Sequence, residues 1–217
     1  MKILFLTVLA LVCLVSGLAI ANDDGTTGSL QTYEPTQGGH ETDAYGDAFL
    51  TTMFASDNQF AGNSFDVGAY TPLTIVGFDI NLDVGIANHN IDVYYRAAGT
   101  ADGFEQSPGE WTLLGSDVVV PAGMDLPTHV DVGGLFLDTG DTVGIIILSH
   151  EATDFRYTGG GPNTYTNDDI GVITYRGLGA GWPPASVFTY RAWNGTVHYI
   201  YGTALERETW GSIKTVF

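Results

Sequence analysis

Between Leu73 and Asp83 apolar and polar positions alternate: Val76, Phe78, Ile80 and Leu82 fall on one side, Gly77, Asp79, Asn81 and Asp83 on the other. A period of two is that of a β-strand with one dry face and one wet face. Runs rich in Val, Ile, Thr, Tyr and Phe recur at 90–97, 110–120, 128–132, 142–150, 154–158 and 171–176, separated by Gly, Asn, Asp and Pro clusters. Within the 142–150 run, Gly144-Ile145-Ile146-Ile147-Leu148 has no polar position, so this strand is expected to be buried on both faces. No window carries a sustained 3.6-residue apolar period. The pattern predicts an all-β fold: an antiparallel two-sheet β-sandwich of jelly-roll-like topology, about ten strands, over residues 45–202. The glycine-rich stretches at 159–162 and 177–184 are the expected irregular loops.

The stretch TYRAWNGTVHYIYG, residues 189–202, has two competing readings. Asn194-Gly195-Thr196 is an N-glycosylation acceptor pattern. Asn-Gly between alternating runs is also the signal for a hairpin with a type I′ turn. That turn pairs Trp193 with Thr196, Ala192 with Val197, Arg191 with His198 and Tyr190 with Tyr199. It puts Tyr190, Ala192, Val197, Tyr199 and Tyr201 on an apolar face, and Arg191, Trp193, Thr196 and His198 on a wet one. This separation favours the hairpin over the glycan.

The ends differ from the middle. Lys2, an apolar run from Ile3 to Val15 and the ending Ala19-Ile20-Ala21 fit a secretory signal peptide over 1–21. The apolar run is shorter than the ~18 residues of a membrane-spanning helix and no second one follows, so no membrane span is expected. Residues 22–44 are polar and rich in Gly and Thr, the composition of a flexible leader. The one cysteine, Cys13, lies in the signal segment, so the exported domain has to rely on its core instead of disulfides. A secreted, extracellular or cell-surface location follows as the expectation.

Seven basic residues against 25 acidic ones give a formal charge of −18. That disfavours nucleic acid and anionic membranes as partners, which require clustered Lys and Arg. It suits a saline medium and cation uptake. Calcium takes hard oxygen ligands from acidic loops, which makes Asp138 and Asp141, and Asp168 and Asp169, the loops to consider. Neither pair matches an EF-hand, and a turn capped by Asp is the alternative.

Catalytic patterns are sparse. No Ser sits in a G-x-S-x-G elbow. The histidines, at 40, 89, 129, 150 and 198, lack H-x-H or H-x-x-x-H spacing, so a zinc site would have to be assembled from distant strands. None of the seven Glu lies centrally in a predicted strand, which leaves a jelly-roll glycoside hydrolase with little support.

The segments GNSFDVGAYTPLTIVGFDINLD, IDVYYRAAG, EWTLLGSDVVV, YTND and GLGAGWPPASVFTYRAWNGTVHY together resemble a β-sandwich domain that recurs in exported, often multidomain, bacterial proteins, over about 56–202. That resemblance implies fold and compartment, with no activity and no catalytic residue. The terminal ALERETWGSIKTVF, within 203–217, is similar to short Trp-Gly-x-Ile-Lys tails of exported bacterial proteins, which implies sorting or attachment; a short closing helix is the other reading. The functional expectation is a non-catalytic binding or adhesion module for a glycan or a cell-surface or matrix component. Trp182, Trp193, Tyr165 and Tyr175 would be its stacking aromatics, with Arg191 and His198 beside them. The alternative is a structural surface protein that self-associates.

Overall fold

A computed structural model describes residues 48–97, 99–151 and 154–202. The expected signal peptide (1–21), polar leader (22–44) and C-terminal tail (203–217) lie outside the described residues. The fold is all-β, as the alternation predicts. The described residues form fourteen strands: β1 (Ala48–Thr51), β2 (Asn58–Phe60), β3 (Gly62–Ala69), β4 (Leu73–Asn81), β5 (His89–Arg96), β6 (Thr112–Val119), β7 (Pro127–Leu137), β8 (Thr142–Ser149), β9 (Phe155–Gly159), β10 (Asn163–Thr166), β11 (Ile170–Leu178), β12 (Val187–Thr189), β13 (Arg191–Trp193) and β14 (Gly195–Tyr201).

They make a β-sandwich of two large antiparallel sheets and a small one. The first has four strands in the order β1-β14-β4-β7, and the second has seven, β10-β11-β3-β8-β5-β6 with β12 beside β11. The third, β13-β9-β2, has three. Phe78, Ile80, Val130, Val197 and Tyr199 from the four-stranded sheet meet Phe65, Val67, Ile91, Val93, Ile145 and Ile147 from the seven-stranded one in a single core. The inward set of β4 begins with Leu73 and Ile75, not Val76, because a register shift between Ile75 and Gly77 absorbs one residue before Phe78 resumes the alternation.

Strand β8 is buried on both faces for a reason local to this fold. Ile145 and Ile147 face the main core, while Ile146 and Leu148 face a second cluster with Ala101, Trp111, Tyr94 and Leu178. The loop after β5 therefore folds back over the sheet, fastened by the Ala101 N–H donating to buried Asp66 at 2.6 Å. Burial pushes the Asp66 carboxyl above its usual range, although the Ala101 bond acts the other way.

The hairpin expected at Asn194-Gly195 is not formed. β13 pairs with β9 in the small sheet, whereas β14 pairs with β1 and β4 in the four-stranded sheet. The chain crosses between sheets where the type I′ turn would have reversed it, and neither Asn194 nor Gly195 has positive φ. Trp193 is the cause. Its indole is fully buried, stacked on Phe65 at 4.0 Å between centroids and edge-on to Phe78 at 6.2 Å. Thr52 staples the crossing: its hydroxyl lies 2.8 Å from the Trp193 carbonyl oxygen and 3.0 Å from that of Gly195, and it accepts from the Gly195 N–H at 3.0 Å. The predicted dry set of β14 survives, with Val197 and Tyr199 in the core, but Tyr190 is exposed. Asn194 is fully buried beside the Thr158 hydroxyl at 3.1 Å, so its side chain is inaccessible to a glycan in the folded chain.

Glycine is required at 195 by space. A Cβ there would lie 2.2 Å from Trp193 Cζ2 and 2.5 Å from the Asp79 carbonyl oxygen, a backbone atom of the neighbouring strand. Gly195→Ala is therefore expected to cost about 3 kcal/mol or more in urea unfolding, beyond ordinary overpacking, with Trp193→Ala in a similar ~3–5 kcal/mol range. A loss under about 1 kcal/mol for Gly195→Ala would mean that the crossing relaxes easily.

Candidate functional site

The predicted stacking residues do not form one surface. Trp193 cannot face a ligand, being sealed between Phe65 and Phe78, which corrects the sequence expectation. Arg191 is half-buried, its guanidinium 5.9 Å from the Tyr157 ring and donating to the Thr189 and Tyr190 carbonyl oxygens. Trp182 lies flat on Tyr94 with ring centroids 3.7 Å apart, so one of its π-faces is already used inside the fold. Tyr165 is half-buried against the main core, and burial raises its hydroxyl pKa. Tyr175 is half-buried beside Asp66 and Thr100, and burial followed by the Asp66 charge pushes its hydroxyl up.

Three of the four aspartates proposed for calcium behave as turn or hydroxyl acceptors. Asp138 accepts from the Thr139 N–H and Asp141 from the Asp138 N–H, both at 2.8 Å. Asp169 accepts from the Tyr199 and Tyr201 hydroxyls at 3.0 and 2.7 Å, while Asp168 is exposed. Both loops belong to the end of the sandwich where the β3–β4 connection runs, since Ala69 bonds to Asp141 and Tyr70 to Asp169 through the backbone.

The opposite end presents a different surface. The β4–β5 loop carries Val84 and Ile86, and the β6–β7 loop carries Val120, Met124 and Leu126; all but Ile86 are more than half exposed. The two loops meet, because the Cβ position of Gly123 lies 3.7 Å from Leu126 and 3.8 Å from Val84. The β6–β7 loop is anchored from below. Asp125 adopts φ 62°, which Asp tolerates better than most residues. It accepts from the Ser56 N–H, the Ser56 hydroxyl and the Asn81 amide at 2.8, 2.6 and 2.9 Å, and its own N–H donates to Asn81 at 2.8 Å. Burial would raise the Asp125 pKa, but these bonds and Arg156 hold it below the usual range. The signal in the sequence was VPAGMDLP, 120–127, whose Val, Met and Leu stand among turn residues where polar ones are expected.

A shallow depression of about 530 Å³ lies between β5, β6 and the loop after β8, lined by Asn90, Asp92, Ser116, Asp117, Val118 and His150. Ser116, His150 and the Tyr94 hydroxyl all bond to Asp92, at 2.6, 2.8 and 3.0 Å. The carboxylate thus stands between serine and histidine, and the imidazole is not placed to take the serine proton in the order a triad needs. Against the upward push of burial these bonds keep Asp92 below the ordinary carboxylate range, making it a weak base, while burial and Asp92 push Tyr94 up to about 12.

On the outer face of the four-stranded sheet, three strands bring together residues far apart in sequence. Register places Asp79 of β4 opposite His129 of β7 and Thr196 of β14, and Gly77 opposite His198. His129 Nδ1 and His198 Nε2 each lie 2.9 Å from one oxygen of Asp79. Burial would raise the Asp79 pKa, but the two imidazoles, by hydrogen bonding and charge, hold it at about 2. Sequence reasoning placed Asp79 on a wet face and asked for distant strands to build a histidine site. It had no means of pairing these three, because the pairing needs β14 to lie beside β4 instead of folding onto β13. Among the described residues this is the group in which three metal-ligating side chains converge.

No protein-family model matches the chain, and no curated protein matches it in sequence.

Because the folded pKa of Asp79 lies below that of an unfolded Asp, its contribution to stability is present above about pH 4 and is lost as pH falls toward 2. The shift corresponds to about 2 kcal/mol. In urea titrations with chelator present, the stability gap between the wild-type chain and Asp79→Asn is expected to shrink across that window. A gap independent of pH would contradict the assignment.

Proposed function

We propose that this protein is an exported, non-catalytic β-sandwich binding module, of the kind that recurs in exported bacterial proteins, and that it adheres to a protein component of a cell surface or matrix through its apolar loop end. The observation that carries this reading is the grouping of Val84, Ile86, Val120, Met124 and Leu126 on two touching loops, of which the β6–β7 loop is anchored by Asp125. Contiguous exposed apolar side chains are costly to keep in water and mark interaction surfaces. Loops fixed in advance lose little freedom on binding, which favours affinity.

The aliphatic character of the tips supports a protein partner over a glycan. Sugar stacking uses aromatic faces, and Trp193 and one face of Trp182 are committed to the interior. Self-assembly, the other reading, would have to join chains of formal charge −18.

Beads bearing the chain are expected to attach to surfaces coated with matrix proteins. Val120→Asp with Met124→Asp should reduce attachment at least about tenfold, since burying two such side chains is worth more than the ~1.4 kcal/mol per decade. Thermal melting serves as the fold check. Equal attachment by both chains sinks the proposal, and so does binding only to a glycan array that Trp182→Ala abolishes.

A further inference from the structure

We infer that Asp79, His129 and His198 form a binding site for a divalent transition metal of the zinc class. This site is separate from the loop end and does not depend on the adhesive reading. The backbone builds it. Three neighbouring strands, β14, β4 and β7, each contribute one ligand to the same face of the sheet, and their hydrogen-bonded registers set the spacing. Ligands on regular strands are held more accurately than ligands on loops.

The donor atoms converge. His129 Nδ1 and His198 Nε2 are both 2.9 Å from Asp79 oxygens, and one donor atom from each residue lies within 4.8 Å of the others. Zinc–nitrogen bonds of about 2.0–2.1 Å in a tetrahedron require donors about 3.3–3.4 Å apart. The 2.9 Å contacts would have to open by about half an ångström to admit the ion. The two imidazoles stand edge to face with centroids 5.2 Å apart.

Space for the rings is also built in. At Gly77, opposite His198, a Cβ would lie 2.9 Å from His129 Cε1 and 3.1 Å from Nε2. Any larger residue there would push that imidazole away from Asp79. Exposure is graded across the group: the His198 side chain is 3 % exposed, Asp79 13 % and His129 20 %. The cation would reach the site from the His129 side, and water would complete its coordination.

Chemistry selects the metal class. Two imidazole nitrogens and one carboxylate oxygen suit zinc, copper or nickel, whereas calcium and magnesium prefer all-oxygen sets. Ligation requires a lone pair on each donating nitrogen. A ring proton held there moves to the other nitrogen of the same ring or is released to solvent, and the carboxylate already carries the negative charge the cation needs. The competing account is a carboxylate that bridges two imidazoles for stability alone.

Isothermal titration of the chelator-stripped full chain with zinc chloride separates the two. One saturable zinc per chain is expected, with affinity falling at least about a hundredfold in His129→Ala. His150→Ala, which removes a more exposed histidine bound to Asp92, should leave affinity unchanged. Cobalt(II) should give the intense visible bands of a four-coordinate site with nitrogen ligands, and excess calcium should not displace it. Failure of the wild-type chain to bind zinc saturably would overturn the inference, as would equal affinity in His129→Ala or equal losses in the two variants. If His129→Ala does not fold, the cobalt spectrum of the wild-type chain decides, and weak six-coordinate bands count against the site. Because Val120→Asp with Met124→Asp leaves these three ligands untouched, loss of adhesion and loss of zinc binding are read independently.

Discussion

The sandwich turns on the burial of one indole. Trp193 fills the space between Phe65 of one large sheet and Phe78 of the other, and it can do so only because the chain passes from β13 directly into β14 without reversing. Its ring N–H finds no acceptor among the described residues. An unmet buried donor costs about 1–3 kcal/mol, whereas a buried aromatic of this size contributes about 3–5 kcal/mol, so packing outweighs the missing hydrogen bond. Gly195 and Thr52 follow from this choice. The first leaves room for the indole, and the second meets the backbone groups that the crossing would otherwise strand.

The same crossing determines what the outer face of the four-stranded sheet can hold. Had residues 189–202 folded as a hairpin, His198 would lie beside Arg191 in a wet ladder. Instead β14 is inserted between β1 and β4, and His198 comes to rest against Asp79, which already faces His129. A single packing decision in the core thus assembles, on the far side of the sheet, a carboxylate with two imidazoles. That coupling is mechanical: in a pleated strand, fixing Val197 and Tyr199 inward leaves Thr196 and His198 no direction but outward.

What the sequence made legible, and what it did not, separates along local and non-local physics. Alternation is local, so β4, β5, β8 and β9 were readable within a residue or two, and the unbroken apolar run of β8 correctly announced burial on both faces. Pairing partners are non-local. Asn194-Gly195 has the turn chemistry of a hairpin, and the faces it generates separate cleanly into apolar and polar. Yet that consistency holds equally well for a strand whose partner lies more than a hundred residues away, as β1 does for β14. Period two fixes which residues share a face and is silent about which strand lies next door. Trp193 was misplaced for the same reason, because the residues that enclose it, Phe65 and Phe78, come from distant segments.

The apolar loop end and the acidic surface are best understood together. A cluster of exposed Val, Met and Leu invites the loop ends of two molecules to meet, and the contact would bury enough hydrocarbon to be favourable if nothing opposed it. Charge opposes it. With 25 acidic residues against seven basic ones, two copies brought close repel through every uncompensated carboxylate within a Debye length, about 8 Å in physiological salt. A partner that is neutral or basic meets no such barrier and still gains the apolar contact. On the adhesive function proposed above, the negative field would act as a filter, discouraging the encounter with self while leaving the loop end available to others. Asp125 contributes at closer range: its ionised carboxylate is spent inward on Ser56 and Asn81, so the loop is stiffened without a charge being set in the middle of its apolar tip.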